Sequence, residues 1–130
     1  VLYLHPVLGV VTLGLVVWLG VAGFRSRHRA PYAAPSRRTH RRWSTSILAS
    51  FAVTWALGFG TTWVLREPLG PAGTRHAVAA TVGLGLMVAL YDLGRRLPRD
   101  ATSKAAHPLV GAALLATSAA ILILGLGLLP

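Results

Sequence analysis

Four of the five histidines, His5, His40, His76 and His107, stand at the starts of apolar stretches covering 7–24, 47–65, 77–91 and 109–129. Imidazole is the commonest side-chain metal ligand, and a neutral imidazole among apolar side chains needs a partner, because an unpaired buried polar group costs free energy. Held in facing pairs, four such rings make two bis-imidazole iron sites in prospect. His28 falls among arginines and reads as solvent-facing.

The elements that must position these rings follow from composition. A chain of 130 residues that is 54% hydrophobic and 12% charged, with positive mean hydropathy, has more apolar surface than one small soluble core can hide. The expected fold is therefore all-α: a single integral-membrane, four-helix, up-down bundle over 1–130, with spans at about 5–24, 44–65, 76–94 and 107–129, since roughly 20 helical residues cross a hydrocarbon core of about 30 Å. The first span lacks a positive amino-terminal flank and is followed by Arg25, Arg27 and Arg29, so it reads as a retained span rather than a cleaved signal. With no cysteine, thiolate metal sites, iron–sulfur ligation and disulfides are excluded, as is the attachment motif of c-type haem.

Charge sets the orientation. Segment 25–42 holds seven arginines and 94–106 holds Arg95, Arg96, Arg99 and Lys104, against only Arg66 and Arg75 in 66–75. The positive-inside bias puts the basic loop 25–43 and segment 94–106 in the cytoplasm and both termini on the periplasmic side, in a bacterial inner membrane. Topology and anionic head groups account for the net charge of +10, so the lipid bilayer, not nucleic acid, is the expected partner. Ser36 reads as the cap of a second helix beginning near Arg37; Asp100, Thr102 or Ser103 reads as the cap of the fourth, with Pro108 in or near its first turn.

Consecutive spans alternate direction, so His5 and His76 share the outer face and His40 and His107 the inner one. Each pair comes from alternate helices, which face each other diagonally across a four-helix bundle. One turn after each histidine, on the same helix face, stands a small residue: Gly9, Ser44, Ala80 and Gly111. These leave room for a porphyrin. The stretch His5-Pro6-Val7-Leu8-Gly9 is echoed by His107-Pro108-Leu109-Val110-Gly111, in a span running the other way. The Gly9/Gly14, Gly20/Gly23 and Gly83/Gly85 sets permit close helix approach.

Four spans with four histidines, paired first with third and second with fourth, resemble the transmembrane di-haem cytochromes b, in particular the cytochrome b561-like bundle and its small bacterial relatives. The resemblance covers essentially the whole chain. It implies two haem b groups, an outer one on His5 and His76 and an inner one on His40 and His107. It also implies electron transfer between the membrane faces, from a quinol, a small reductant or a partner redox subunit to an acceptor. Arg75 is a candidate partner for an outer haem propionate. The family's eukaryotic members carry two further helices and recognisable reductant sites that this chain lacks, so no donor or acceptor is implied residue by residue.

The contrasting expectation is a haem-free or pigment-binding scaffold or accessory subunit of a larger photosynthetic or respiratory membrane complex, using its small-residue faces for packing. Asp92 reads as the ion-pair partner of Arg95 or Arg96. No Ser-His-Asp order, phosphate loop or H-E-x-x-H motif supports hydrolase or nucleotide-driven chemistry.

Overall fold

A computed structural model describes residues 4–28, 30–65 and 70–128, leaving aside the side chains of 28, 30–33, 62–65 and 71–72. Its four helices are α1 (Leu4–His28), α2 (Ala30–Leu65), α3 (Pro71–Arg96) and α4 (Ala101–Leu126), and the described residues contain no strand. α1 packs chiefly on α2 and α3 on α4; α2–α3 and α1–α4 contacts close the ring, and among the described residues the diagonal helices do not touch through their backbones. An all-α four-helix bundle is thus the observed architecture. α1, α3 and α4 are each long and apolar enough to cross a membrane. The stretch expected as the second span, 44–65, lies in α2 and ends among residues whose side chains lie outside the description.

Local chemistry explains most boundaries. Pro6 sits in the first turn of α1, where no N–H is needed, and Pro71 opens α3 just after Gly70. Arg95 and Arg96 occupy the last turn of α3, complementing the helix dipole. The chain then turns through Arg99 and Asp100, whose N–H groups both return to the Arg96 carbonyl. Asp100 caps α4, accepting from the N–H of Thr102 (3.0 Å) and Ser103 (3.1 Å) and from the Ser103 hydroxyl (2.6 Å). These bonds, led by the hydroxyl of Ser103, hold the Asp100 carboxyl below the usual carboxylate range.

Three expectations change. The basic segment expected as a loop over 25–43 is helical on both sides of residue 29: α1 continues to His28 and α2 begins at Ala30, ahead of the start expected near Arg37. Ala and Arg are strong helix formers and make up much of this segment. Ser36 accordingly lies inside α2 rather than capping it, and Pro35 is carried within the helix near its start. Pro108 also lies inside α4, because the Asp100 cap starts that helix earlier.

The core is a seam of buried side chains, among them Leu13, Val16, Leu19, Ile47, Phe51, Met87, Leu114 and Ile121. Large apolar side chains also cover the outside: Leu109 is 72% exposed and Ile123 70%. A bundle apolar on both surfaces suits lipid, since water penalises such exposure.

Candidate functional site

The histidines occupy the ends of this seam. The rings of His5 and His76 lie 6.2 Å apart, centre to centre, with planes at 83°; those of His40 and His107 lie 6.0 Å apart at 65°. The structure therefore brings together rings from α1 and α3 at one end and from α2 and α4 at the other. All four are half-buried.

Three of the rings are tied to backbone. His5 Nδ1 donates to the Thr54 carbonyl at 3.1 Å, His40 Nδ1 to the Leu19 carbonyl at 3.0 Å and His76 Nδ1 to the Ile121 carbonyl at 3.1 Å. A proton on Nδ1 leaves the Nε2 lone pair free, which is how second-shell partners fix a ligating imidazole's tautomer. Each acceptor stands four residues before a glycine that the same ring packs against. A Cβ at Gly58 would lie 2.7 Å from His5 Cε1, one at Gly23 3.2 Å from His40 Nδ1, and one at Gly125 3.0 Å from His76 Cε1. Helical carbonyls point toward the residue four positions on, so a missing side chain there opens the oxygen to a second donor. Gly94 faces His107 in the same way but at 3.6 Å, and His107 has no hydrogen bond among the described residues.

These glycines were not singled out by sequence reasoning as histidine partners, although a signal was present. Each histidine is followed by a glycine 18 positions later: His5 and Gly23, His40 and Gly58, His76 and Gly94, His107 and Gly125. Eighteen residues make five helical turns, about 27 Å, so the two lie on one face. Because neighbouring helices are antiparallel, the glycine of one helix meets the histidine of the next, which separates the two ring pairs by about the same 27 Å. The same face carries the buried seam. It includes Val16, Phe51, Met87 and Ser118, each 11 positions after its histidine.

A cavity of about 370 Å³ opens beside His5 and His76, lined also by Gly9, Ala80, Phe51, Thr54, Trp55 and Ile121 among others. It falls in the size range of cofactor and small-ligand sites. Gly9 and Ala80 thus border the His5–His76 pair, with open space where a Gly9 Cβ would stand. Gly111 faces Leu90 at 3.9 Å, and Ser44 donates to the Arg41 carbonyl of its own helix at 3.1 Å. Arg75 is exposed, one residue before His76. Arg66 and the His28 side chain lie outside the described residues.

The donor set distinguishes the groups these pairs could hold. Among the described residues no group of three or more His, Cys, Asp or Glu side chains comes together. Two imidazoles per site instead suit a metal that arrives with its own equatorial ligands, as in haem. At 6.2 and 6.0 Å between ring centres, the two imidazoles of each pair are close enough for one metal ion to be held between them.

Other polar groups are engaged within the bundle. Thr12 bonds both Ser50 (2.9 Å) and Thr54 (3.1 Å), and the Trp55 indole donates to Thr81 at 3.1 Å. Asp92 pairs with Arg96 at 2.7 Å on an exposed face. Among the described residues, the buried hydroxyl of Ser118 has no hydrogen-bond partner. Comparison of the chain with protein-family models, curated proteins and solved structures returns no match.

Proposed function

We propose that the chain is a four-span membrane cytochrome b that passes electrons between the two faces of a bacterial inner membrane through two bis-histidine haems. The observation that carries this reading is the meeting of His5 with His76 and of His40 with His107 at opposite ends of the bundle. In the proposed topology both termini lie outside and the arginine-bearing ends of α1 and α2 lie inside.

The chain's own residues account for holding such groups. The carbonyls of Thr54, Leu19 and Ile121 fix the protonated Nδ1 of His5, His40 and His76, so that each Nε2 keeps its lone pair. Gly58, Gly23 and Gly125 let those rings lie flush against the neighbouring helix. Apolar side chains, Leu122, Leu126 and Trp55 among them, make up most of the wall of the outer cavity. Haem b, when bound between the histidines of each pair, would supply a one-electron iron centre suited to electron transfer. A quinol or small reductant, or a partner redox subunit, is the proposed donor class.

The test is a reduced-minus-oxidised spectrum with haem quantitation of the purified protein. Two haem b per chain and a sharp reduced α-band are expected. A colourless, haem-free preparation from haem-replete cells would sink the proposal and favour a scaffold subunit of a larger complex, while absorption further to the red would indicate a chlorophyll-type pigment.

A further inference from the structure

The cavity beside His5 and His76 is walled by all four helices, but the seams between those helices are not equally closed. Hydrogen bonds made by residues of its wall cross three of them. His5 and Thr12 bond Thr54 across the α1–α2 seam, Trp55 bonds Thr81 across α2–α3, and His76 bonds Ile121 across α3–α4. Among the described residues of the wall, no hydrogen bond joins α1 to α4.

Packing along that seam points the same way. Away from the cavity α1 and α4 touch: a Cβ on Gly20 would stand 3.3 Å from the Leu115 side chain. Eleven residues make about three helical turns and return to nearly the same face, so in these antiparallel helices the corresponding pair toward the His5 end is Gly9 with Leu126. There the contact is gone. Nothing lies within 4 Å of a Cβ on Gly9, and Gly9 and Leu126 both line the cavity. α1 and α4 thus part toward this end, leaving a cleft. Val10 and Leu126, both in the cavity wall, are 54% and 53% exposed, so the wall continues onto the apolar outside of the bundle, the surface that suits lipid.

Resting on the proposed haem site at His5 and His76, we propose that this site is filled sideways, from within the membrane, through the cleft between α1 and α4 whose lips are Gly9, Val10, Leu122 and Leu126. The chemistry of the chamber fits a ligand that travels in lipid. Its wall is mostly apolar, and its two imidazoles present free Nε2 atoms. A flat apolar ring carrying its own metal satisfies both, and such a ring leaves water for hydrocarbon. The bonded seams keep the rest of the wall in place. Thr54 is held twice from α1, at its carbonyl by His5 and at its hydroxyl by Thr12, and His76 is held to α4 through Ile121. Widening the α1–α4 cleft therefore breaks none of the bonds that orient the two rings.

The chain contains no cysteine, so a thiol pair placed on the lips can be linked without interference. The experiment uses the full chain with Gly9→Cys and Leu126→Cys, produced in haem-deficient cells, placed in phospholipid vesicles and given haemin. A short bis-maleimide linker is added either before or after the haemin. Unlinked, or linked after loading, the chain is expected to hold its full haem complement. Linked first, it is expected to lose about half, and the haem that remains is expected to vanish when His40→Ala is added. A chain linked first that still fills both sites overturns the proposal. So does one that loses the inner haem as well, because the link then acts on the bundle and not on the cleft. Val10→Cys with Leu122→Cys repeats the measurement on the same lips; if both unlinked pairs leave the His5–His76 site empty, the lips belong to the seat and the proposal falls. An unsubstituted chain that binds no haem overturns the parent reading instead, and its haem content, measured before any link is made, separates the two failures.

Discussion

Alanine at Gly58 would put a methyl carbon 2.7 Å from Cε1 of His5, closer than packed atoms approach, so the ring must leave the Thr54 carbonyl. Gly60 on the same helix meets nothing within 4 Å. Gly58→Ala is therefore expected to cut haem content by about half, through loss of the outer site alone, whereas Gly60→Ala leaves both sites filled; a pyridine haemochrome assay on the purified variants reads the difference. His5→Ala and His76→Ala are each expected to remove the same outer component, and loss of different components would refute the shared site. Ser118 offers a stability test. A buried hydroxyl without a partner carries an uncompensated desolvation cost of about 1–3 kcal/mol, so Ser118→Ala should raise the thermal midpoint of the protein in detergent. Alternation of span direction made the partnership of His5 with His76 legible in the sequence. The glycines that seat the rings were less so, because an interval of 18 residues links positions in one helix, while the contact it creates is with the next.

At the scale of the helix, capping separates what composition foretold from what it missed. Asp100 was legible as a cap because a short acidic side chain before Thr102 and Ser103 offers the oxygens their N–H groups need. The continuation of α1 to His28 and the start of α2 at Ala30, ahead of the start expected near Arg37, were not. Arginines and prolines there read as a loop, yet Pro35 falls near the helix start, where little backbone bonding is lost, and arginine itself favours helix. At about 1.5 Å per residue α2 is about 54 Å long, well beyond a hydrocarbon core of about 30 Å, so in the proposed topology its arginine-bearing start would project past the lipid. Asp100 also makes a pH prediction. Its carboxyl is held down in the folded chain, so the stabilisation is present above the ordinary carboxylate pKa and is lost as pH falls through the lowered folded value. Asp100→Asn keeps a capping side chain but does not titrate, and should flatten the acid limb of a stability–pH curve measured by thermal melting.

For the whole molecule, the two hairpins α1–α2 and α3–α4 play matching parts: each gives one histidine and one glycine to either end, the glycine facing the ring carried by the other helix of its hairpin. The proposed topology follows from the arginine bias and is checked by reporter fusions after residues 33, 68, 98 and 128. Cytoplasmic signal is expected at the first and third and periplasmic signal at the second and fourth; the reverse pattern would exchange which face holds each histidine pair.

The interval from histidine to glycine acts as a gauge length repeated in four separate pieces of chain. Inserting one residue inside any of these intervals would turn the far end of that helix by about 100° and lengthen it by about 1.5 Å, moving a glycine off its ring. Insertions at 97–100, outside all four intervals, leave the gauge untouched. The thickness of this protein is thus not adjustable helix by helix. A change suited to a thicker or thinner membrane would have to occur in all four helices together, and in whole turns.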